Sequence, residues 1–223
     1  MAHQHFSRAD AGIRPASPNR SRAQRGSTAI EFALVMICAV PLFFGVVAMG
    51  VTIGQSIEAV QVTSDVGRMY SEGVDFTSAS VQQLVTQLAS GFTLTSTGSA
   101  VMMFSQVTTV FPADCTAASV SPCSNSGLAV FTQRVTLGNT ALKTSAFGTP
   151  PASYLDAEGN ITAANYMQQS TLVANGFGSV ITQSDGDVAY LVEAYYTMPD
   201  LSFLSPGYSG GSATGGIYAR AIF

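Results

Sequence analysis

From Phe32 to Gly54 no side chain ionises except the Cys38 thiol. A run this long and this apolar leaves few choices of fold. At about 1.5 Å per residue a helix over it is roughly 35 Å long, enough to cross a bilayer core of about 30 Å. Pro41 and the glycines at 45, 50 and 54 are tolerated in membrane helices, where they permit a bend or close helix packing. Glu31 stands at the head of the run. A charge near mid-bilayer costs about 2.5–3.5 kcal/mol on insertion scales, so Glu31 is either a functional carboxylate or a side chain solvated at headgroup level. An ordinary secretory signal core has about 7–15 residues and ends at a small-residue site. A retained anchor fits this run better.

Charge is divided unevenly around the run. Arg8, Arg14, Arg20, Arg22 and Arg25 precede it, whereas only Arg68, Arg134, Lys143 and Arg220 follow, against twelve acids from Glu31 to Asp200. The positive-inside rule therefore puts residues 1–26 in the cytoplasm and the C-terminal part across the membrane, in a periplasm-like compartment. Four scattered cations among twelve acids make a poor nucleic-acid binder, because phosphate contacts need clustered Lys and Arg.

The domain organisation follows from these shifts. Residues 1–26 are rich in Ser, Pro, Arg and Ala and read as an unstructured basic leader. Residues 27–54 read as the membrane helix, and residues 55–223 are long enough for one core of their own. Beyond the bilayer the helix is predicted to continue to about Met69, with Ile57, Val60, Val62, Val66 and Tyr70 as an apolar stripe and Gly73 as its stop. A second helix is predicted from a capping box at Ser80 and Gln83, with Val81, Leu84, Val85 and Leu88 on one face and Gly91 at its end. Strands are predicted over Val101–Val110, Leu128–Leu137, Val188–Thr197 and Gly216–Phe223, and residues 170–182 are ambiguous between strand and helix. Turn chemistry marks residues 149–151, 158–160, 185–187 and 207–216. The fold class is thus α+β: a long N-terminal transmembrane helix leading into a domain with a mainly antiparallel sheet.

Cys115 and Cys123 flank a short loop in the exported part. In an oxidising compartment they can pair, which closes a loop worth roughly 2.5 kcal/mol in the chain-entropy model; the alternative is two unrelated thiols. Cys38, inside the apolar run, reads as a small apolar filler. Catalysis finds little support. Both histidines, His3 and His5, lie in the leader, so the exported part lacks a base of near-neutral pKa for a Ser-His-Asp or Cys-His arrangement. Zinc sites built on His and Cys fail for the same reason. Asp185-Gly186-Asp187 lacks the further acids of a calcium loop and reads as a turn, as does Asp156-Ala157-Glu158-Gly159-Asn160. No cofactor is expected. Glu193 either faces solvent or pairs with Arg134 or Arg220, and Tyr195, Tyr196 and residues 101–104 read as packing.

Gly26-Ser27-Thr28-Ala29-Ile30-Glu31-Phe32 resembles the class III signal of type IV pilins and pseudopilins: Gly before the cut, Glu as fifth mature residue, then an apolar helix. The form Arg25-Gly26 with Glu31-Phe32-Ala33-Leu34-Val35 resembles the TadE-like family of the tight-adherence (Tad) pilus system. Arg68, the run Gln133–Asn139, the run Val192–Tyr196 and the closing run Ile217–Phe223 extend the resemblance over most of the chain. One departure is that such proteins often carry proline about six residues after the Glu, where this chain has Ile37. The resemblance implies a minor pilin or pseudopilin anchored in a bacterial inner membrane, not an enzyme but the substrate of one. A prepilin peptidase would cut between Gly26 and Ser27, where a residue without Cβ lets the backbone enter a tight cleft. The new Ser27 ammonium of one subunit could then pair with Glu31 of another, fixing register. Its partners would be the peptidase, the pilus platform, other pilin subunits and the lipid bilayer. The competing reading is an unprocessed, single-span periplasmic binding or adhesion domain.

Overall fold

The computed structural model describes residues 21–89, 91–197 and 215–223, with side chains from Thr28 onward. The chain divides into two compact units, Met1–Val46 and Val47–Phe223. Helix α1 (Ser21–Ser71) contributes its first part to one and its last part to the other. Residues 21–26, expected as unstructured leader, are helical here; Arg22, Ala23, Gln24 and Arg25 are all good helix formers.

In the second unit α1 ends where Gly73 takes a left-handed φ of +85° and Val74 N–H donates to the Met69 carbonyl at 3.1 Å. That is the glycine stop expected from the sequence. The buried stripe of α1 differs from the predicted one. Ala59, Val62, Thr63, Val66 and Tyr70 are buried, whereas Ile57 and Val60 are each 55% exposed. Spacings of three and four from Ala59 define one helix face, and Ile57 and Val60 fall off it. Close to the C-terminal end of this face, a Cβ on Gly67 would come within 2.5 Å of the Phe223 ring. Glycine there lets the last residue of the chain lie against the helix.

Helix α2 (Ala79–Leu88) starts two residues earlier than expected and has Ser78, not Ser80, as its N-cap. No side chain caps it there. Its entry is held instead by Gln82, whose Nε2 donates back to the carbonyls of Phe76 and Thr77, and by Asp75 Oδ1, which accepts from Thr77 N–H at 2.8 Å. Val85 is buried; Leu84 and Leu88, predicted to share its face, are 43% and 41% exposed. A ten-residue helix lying on a sheet buries only a narrow stripe, and Val85 with Ala89 fills it.

Four strands follow: β1 (Ala100–Thr109), β2 (Ala129–Gly138), β3 (Val188–Thr197) and β4 (Gly216–Ile222). They match the four predicted runs to within a residue at each end. The sheet order is β2-β1-β3-β4, and every neighbouring pair is antiparallel. Between β1 and β2 comes a short helix, α3 (Pro112–Ala117), which sequence periodicity does not announce. Residues 170–182 are neither strand nor long helix but two single 3-10 turns, Ser170–Leu172 and Phe177–Ser179.

Alternation sorts the strands into two buried faces. Met102, Phe104, Val192, Ala194, Tyr196 and Ile217 pack against Ala59, Val62, Val66 and Tyr70 of α1 and Val85 of α2. Phe76 stacks on Phe104 at 4.2 Å, and Tyr70 meets Phe104 edge-on at 5.5 Å. The opposite face buries Val107, Leu191 and Ala189 under Phe147, Ala174 and Phe177 of the long β2–β3 connection. At about 1.5–3 kcal/mol per buried large side chain, these two layers hold the unit together. Cys115 and Cys123 are bonded, Cα atoms 6.0 Å apart, and pack with Val110, Val130 and Met167 as a third, smaller cluster.

Candidate functional site

The residues that the sequence singles out for cleavage and anchoring, Gly26 to Gly54, all lie on α1. Gly26 and Ser27 are within the helix, and the structure describes their backbone only. Glu31 is exposed and sits one residue before the apolar run. Along that run Phe32, Leu34, Ile37, Leu42, Val46 and Met49 are 60–72% exposed. An 18-residue window within Thr28–Ser71 has mean hydropathy 2.6, and none of it is buried by the chain. Nothing in water offsets that much apolar surface on every side of a helix. The helix is therefore long and apolar enough to cross a membrane. Around Pro41, Gly45, Gly50 and Gly54 the helix surface is bare; a Cβ at any of the three glycines would meet nothing within 4 Å. These are flat places on the rod where another helix can approach closely. Cys38 is a free, exposed thiol among the same apolar side chains.

A second constellation lies in the other unit, around Glu193, for which the sequence allows either solvent or an ion pair. Glu193 is fully buried. Its Oε2 lies 3.8 Å from Arg134 Nη1 and accepts a hydrogen bond from Ser145 Oγ. Its Oε1 accepts from Ala146 N–H at 2.8 Å and from Tyr218 Oη–H at 2.6 Å. Arg134 is itself 5% exposed, donates from Nη2 to the Gly148 carbonyl at 2.6 Å, and lies over the Phe131 ring at 4.7 Å. Burial holds the guanidinium pKa below its ordinary value, opposed by the Glu193 charge. Burial, then the Glu193 carboxylate, raises the Tyr218 hydroxyl well above its ordinary range.

Arg220, the other cation considered, faces Glu193 across the β3–β4 register, yet its guanidinium rests over the Phe147 ring at 5.3 Å. Register alone could not separate the two arginines. The pair Arg134–Glu193 spans β2 and β3 across β1, which only the strand order reveals. Every polar contact of Glu193 is with the sheet or the loop lying on it, so the cluster fastens residues 145–148 and β4 to the sheet. Removing one partner would strand a buried charge, a loss of about 3–5 kcal/mol. The carboxylate and the guanidinium are buried, whereas Tyr218, which bonds the carboxylate, is 38% exposed.

The other acidic motifs are turns. Asp156 Oδ1 accepts from the N–H groups of Glu158 and Asn160, with Gly159 at φ +77°; hydrogen bonds from Asn160 chiefly hold its carboxyl below the ordinary range. Asp187 Oδ2 accepts from Ser184 N–H at 2.8 Å around Gly186 at φ +82°. Gln133 and Arg134, Glu193, and Tyr218, which sit in three of the runs carrying the family resemblance, meet within one sheet: Gln133 Oε1 accepts from Tyr70 Oη–H at 2.8 Å on the helix face, and the others form the cluster on the opposite face. Three comparisons, with family models, curated proteins and solved structures, give no match.

Proposed function

We propose that the protein is a membrane-anchored minor pilin or pseudopilin of a Tad-type pilus, cut by a prepilin peptidase between Gly26 and Ser27. The observation that carries this reading is the Gly26-to-Glu31 spacing set, on α1, directly before a run that is apolar and exposed all round. A cytoplasmic leader of 26 residues, an inner-membrane span and a periplasmic sheet domain account for the charge asymmetry. The disulfide between Cys115 and Cys123 supports an oxidising location for that domain. After cleavage the Ser27 ammonium provides a counter-charge for Glu31 of a neighbouring subunit, and bare glycine surfaces on α1 let the helices pack. The activity is insertion, cleavage and lateral assembly, and the protein catalyses nothing itself.

Replacing Gly26 by valine tests the reading. The expected result is accumulation of a precursor heavier by the whole leader; normal processing of the valine variant would contradict it. Glu31→Ala separates the two halves of the proposal. Cleavage continues while pilus assembly falls, whereas wild-type assembly would return Glu31 to a headgroup role.

A further inference from the structure

Between α2 and the edge strand β2 lies a groove of about 690 Å3. Gln83, Thr86 and Gln87 form one wall; Leu94, Thr136 and Leu137 form the other. Its size falls within the range of small-molecule sites, about 300–1,000 Å3. Among the described residues no charged side chain lines it.

What makes this groove more than a surface dip is the state of the β2 edge. In an antiparallel strand, alternate residues turn both backbone groups toward the same neighbour. Arg134 N–H donates outward to the Gly159 carbonyl at 2.7 Å, and the Thr132 carbonyl accepts outward from Ile161 N–H at 2.8 Å. The β1–β2 register runs without a break from Gln133 to Gly138. Thr136 therefore turns its N–H and C=O outward, as Gly138 turns its N–H, while Val135 and Leu137 bond β1. Along this edge the chain covers itself almost throughout: Ala174 N–H caps the Ala129 carbonyl, and residues 159–161 cap Thr132 and Arg134. The covering stops before Thr136, which is exposed, and among the described residues nothing bonds the outward groups of Thr136 and Gly138. Exposed edges are ordinarily blunted by Lys, Pro or a bulge, and Val135-Thr136-Leu137-Gly138 carries none of these.

We propose that this groove binds an extended, uncharged segment of a partner protein by strand addition to β2. Two outward donors and one acceptor on β2 bond the backbone of the incoming segment. Its side chains on the helix side meet the amides of Gln83 and Gln87 and the Thr86 hydroxyl. These pair with amides and hydroxyls, and they offer a buried charge no counter-ion. At about 3.3 Å per residue the open stretch accommodates three or four residues. The inference does not depend on processing at Gly26, and its test reads a different part of the chain.

The test is residue-resolved hydrogen exchange on the full-length protein in detergent, with blocked hexapeptides that alternate threonine with asparagine, serine or leucine at millimolar concentration. The expected result is that exchange slows at Thr136 and Gly138 by roughly tenfold, the scale of one net hydrogen bond, and that Leu137 changes little. N-methylation of the central peptide residues should abolish the slowing, as should a glutamate or lysine at the centre. Thr136→Pro removes the outward donor while leaving the β1 ladder intact, and should lose the effect; Thr136→Ser should keep it. If Thr136→Pro unfolds, the N-methylated peptide alone decides. No slowing with any uncharged peptide, slowing spread evenly over the sheet, or slowing that survives N-methylation would overturn the proposal. Protection that rises with protein concentration in the absence of peptide would also overturn it, and would assign the groove to a second copy.

Discussion

The two parts of α1 are apolar in different ways. From Phe32 to Met49 large side chains point in every direction and stay exposed. From Ala59 to Tyr70 one face is buried against the sheet, while Gln61, Ser64, Asp65 and Arg68 are exposed. A helix that is apolar all round asks for an apolar solvent, whereas one with a single stripe asks for a protein partner. The sequence marks the change of partner at the point where charge returns, Glu58, and the buried face begins at Ala59. One helix thus carries two different patterns, apolar all round in its first part and striped in its last.

The sharpest way to break that distinction is through the sheet. Phe104→Ala removes the ring that Phe76 and Tyr70 lie against and should cost the sheet unit about 3–5 kcal/mol, read as a lower denaturation midpoint. Membrane retention should not change, because none of these residues lies in the apolar run from Phe32 to Gly54. The reciprocal change, Val40→Arg, places a charge mid-run and should disfavour insertion by about 2.5–3.5 kcal/mol, read by carbonate extraction. Thermal unfolding of the sheet unit should stay as it is. If both variants failed in both assays, the two parts of the helix would not be independent in the way described.

A pH titration sharpens the second part alone. Tyr70, Tyr196 and Tyr218 have hydroxyl pKa values raised by burial, that of Tyr196 pushed up to about 12. A folded pKa above the unfolded one, about 10 for tyrosine, means that the folded state holds its proton longer. The stability this contributes is complete below about pH 10 and is lost as pH rises through the folded values. Chemical denaturation should therefore show a flat profile up to about pH 9 and a steep fall above 10, shallower in Tyr218→Phe. The smallest effect belongs to the face that periodicity assigned to the core. Ile57→Ser and Val60→Ser should leave the stability of the sheet unit within about 0.5 kcal/mol of wild type.

That last pair shows where sequence reading stops. The apolar run, the Gly73 stop and the four strands were legible because each is a local pattern: uninterrupted hydropathy, a residue permitting positive φ, alternation of β-branched and aromatic side chains. Ile57 and Val60 mislead because hydrophobicity alone does not say which way a side chain faces; the spacing from Ala59 decides it. The Ser80 capping box failed because Asp75 and Gln82, neither of them a member of the capping pair, hold the start of α2. Glu193 was unreadable for a different reason. An acid between Val192 and Ala194 says nothing of burial until the strand order puts Arg134, Ser145 and Tyr218 around it. The open end of β2 is likewise a fact of topology, visible only once residues 159–161 and Ala174 are seen covering the rest of the edge.

A processed pilin and an unprocessed anchored domain differ in where the extracted chain begins. Intact-mass analysis of the protein extracted from membranes, with the prepilin peptidase active and with it inactivated, tests this directly. The account predicts a chain starting at Ser27 in the first case and the uncut leader in the second. A chain that still starts at Met1 or Ala2 when the peptidase is active would contradict it, and would leave an anchored, unprocessed binding domain in its place.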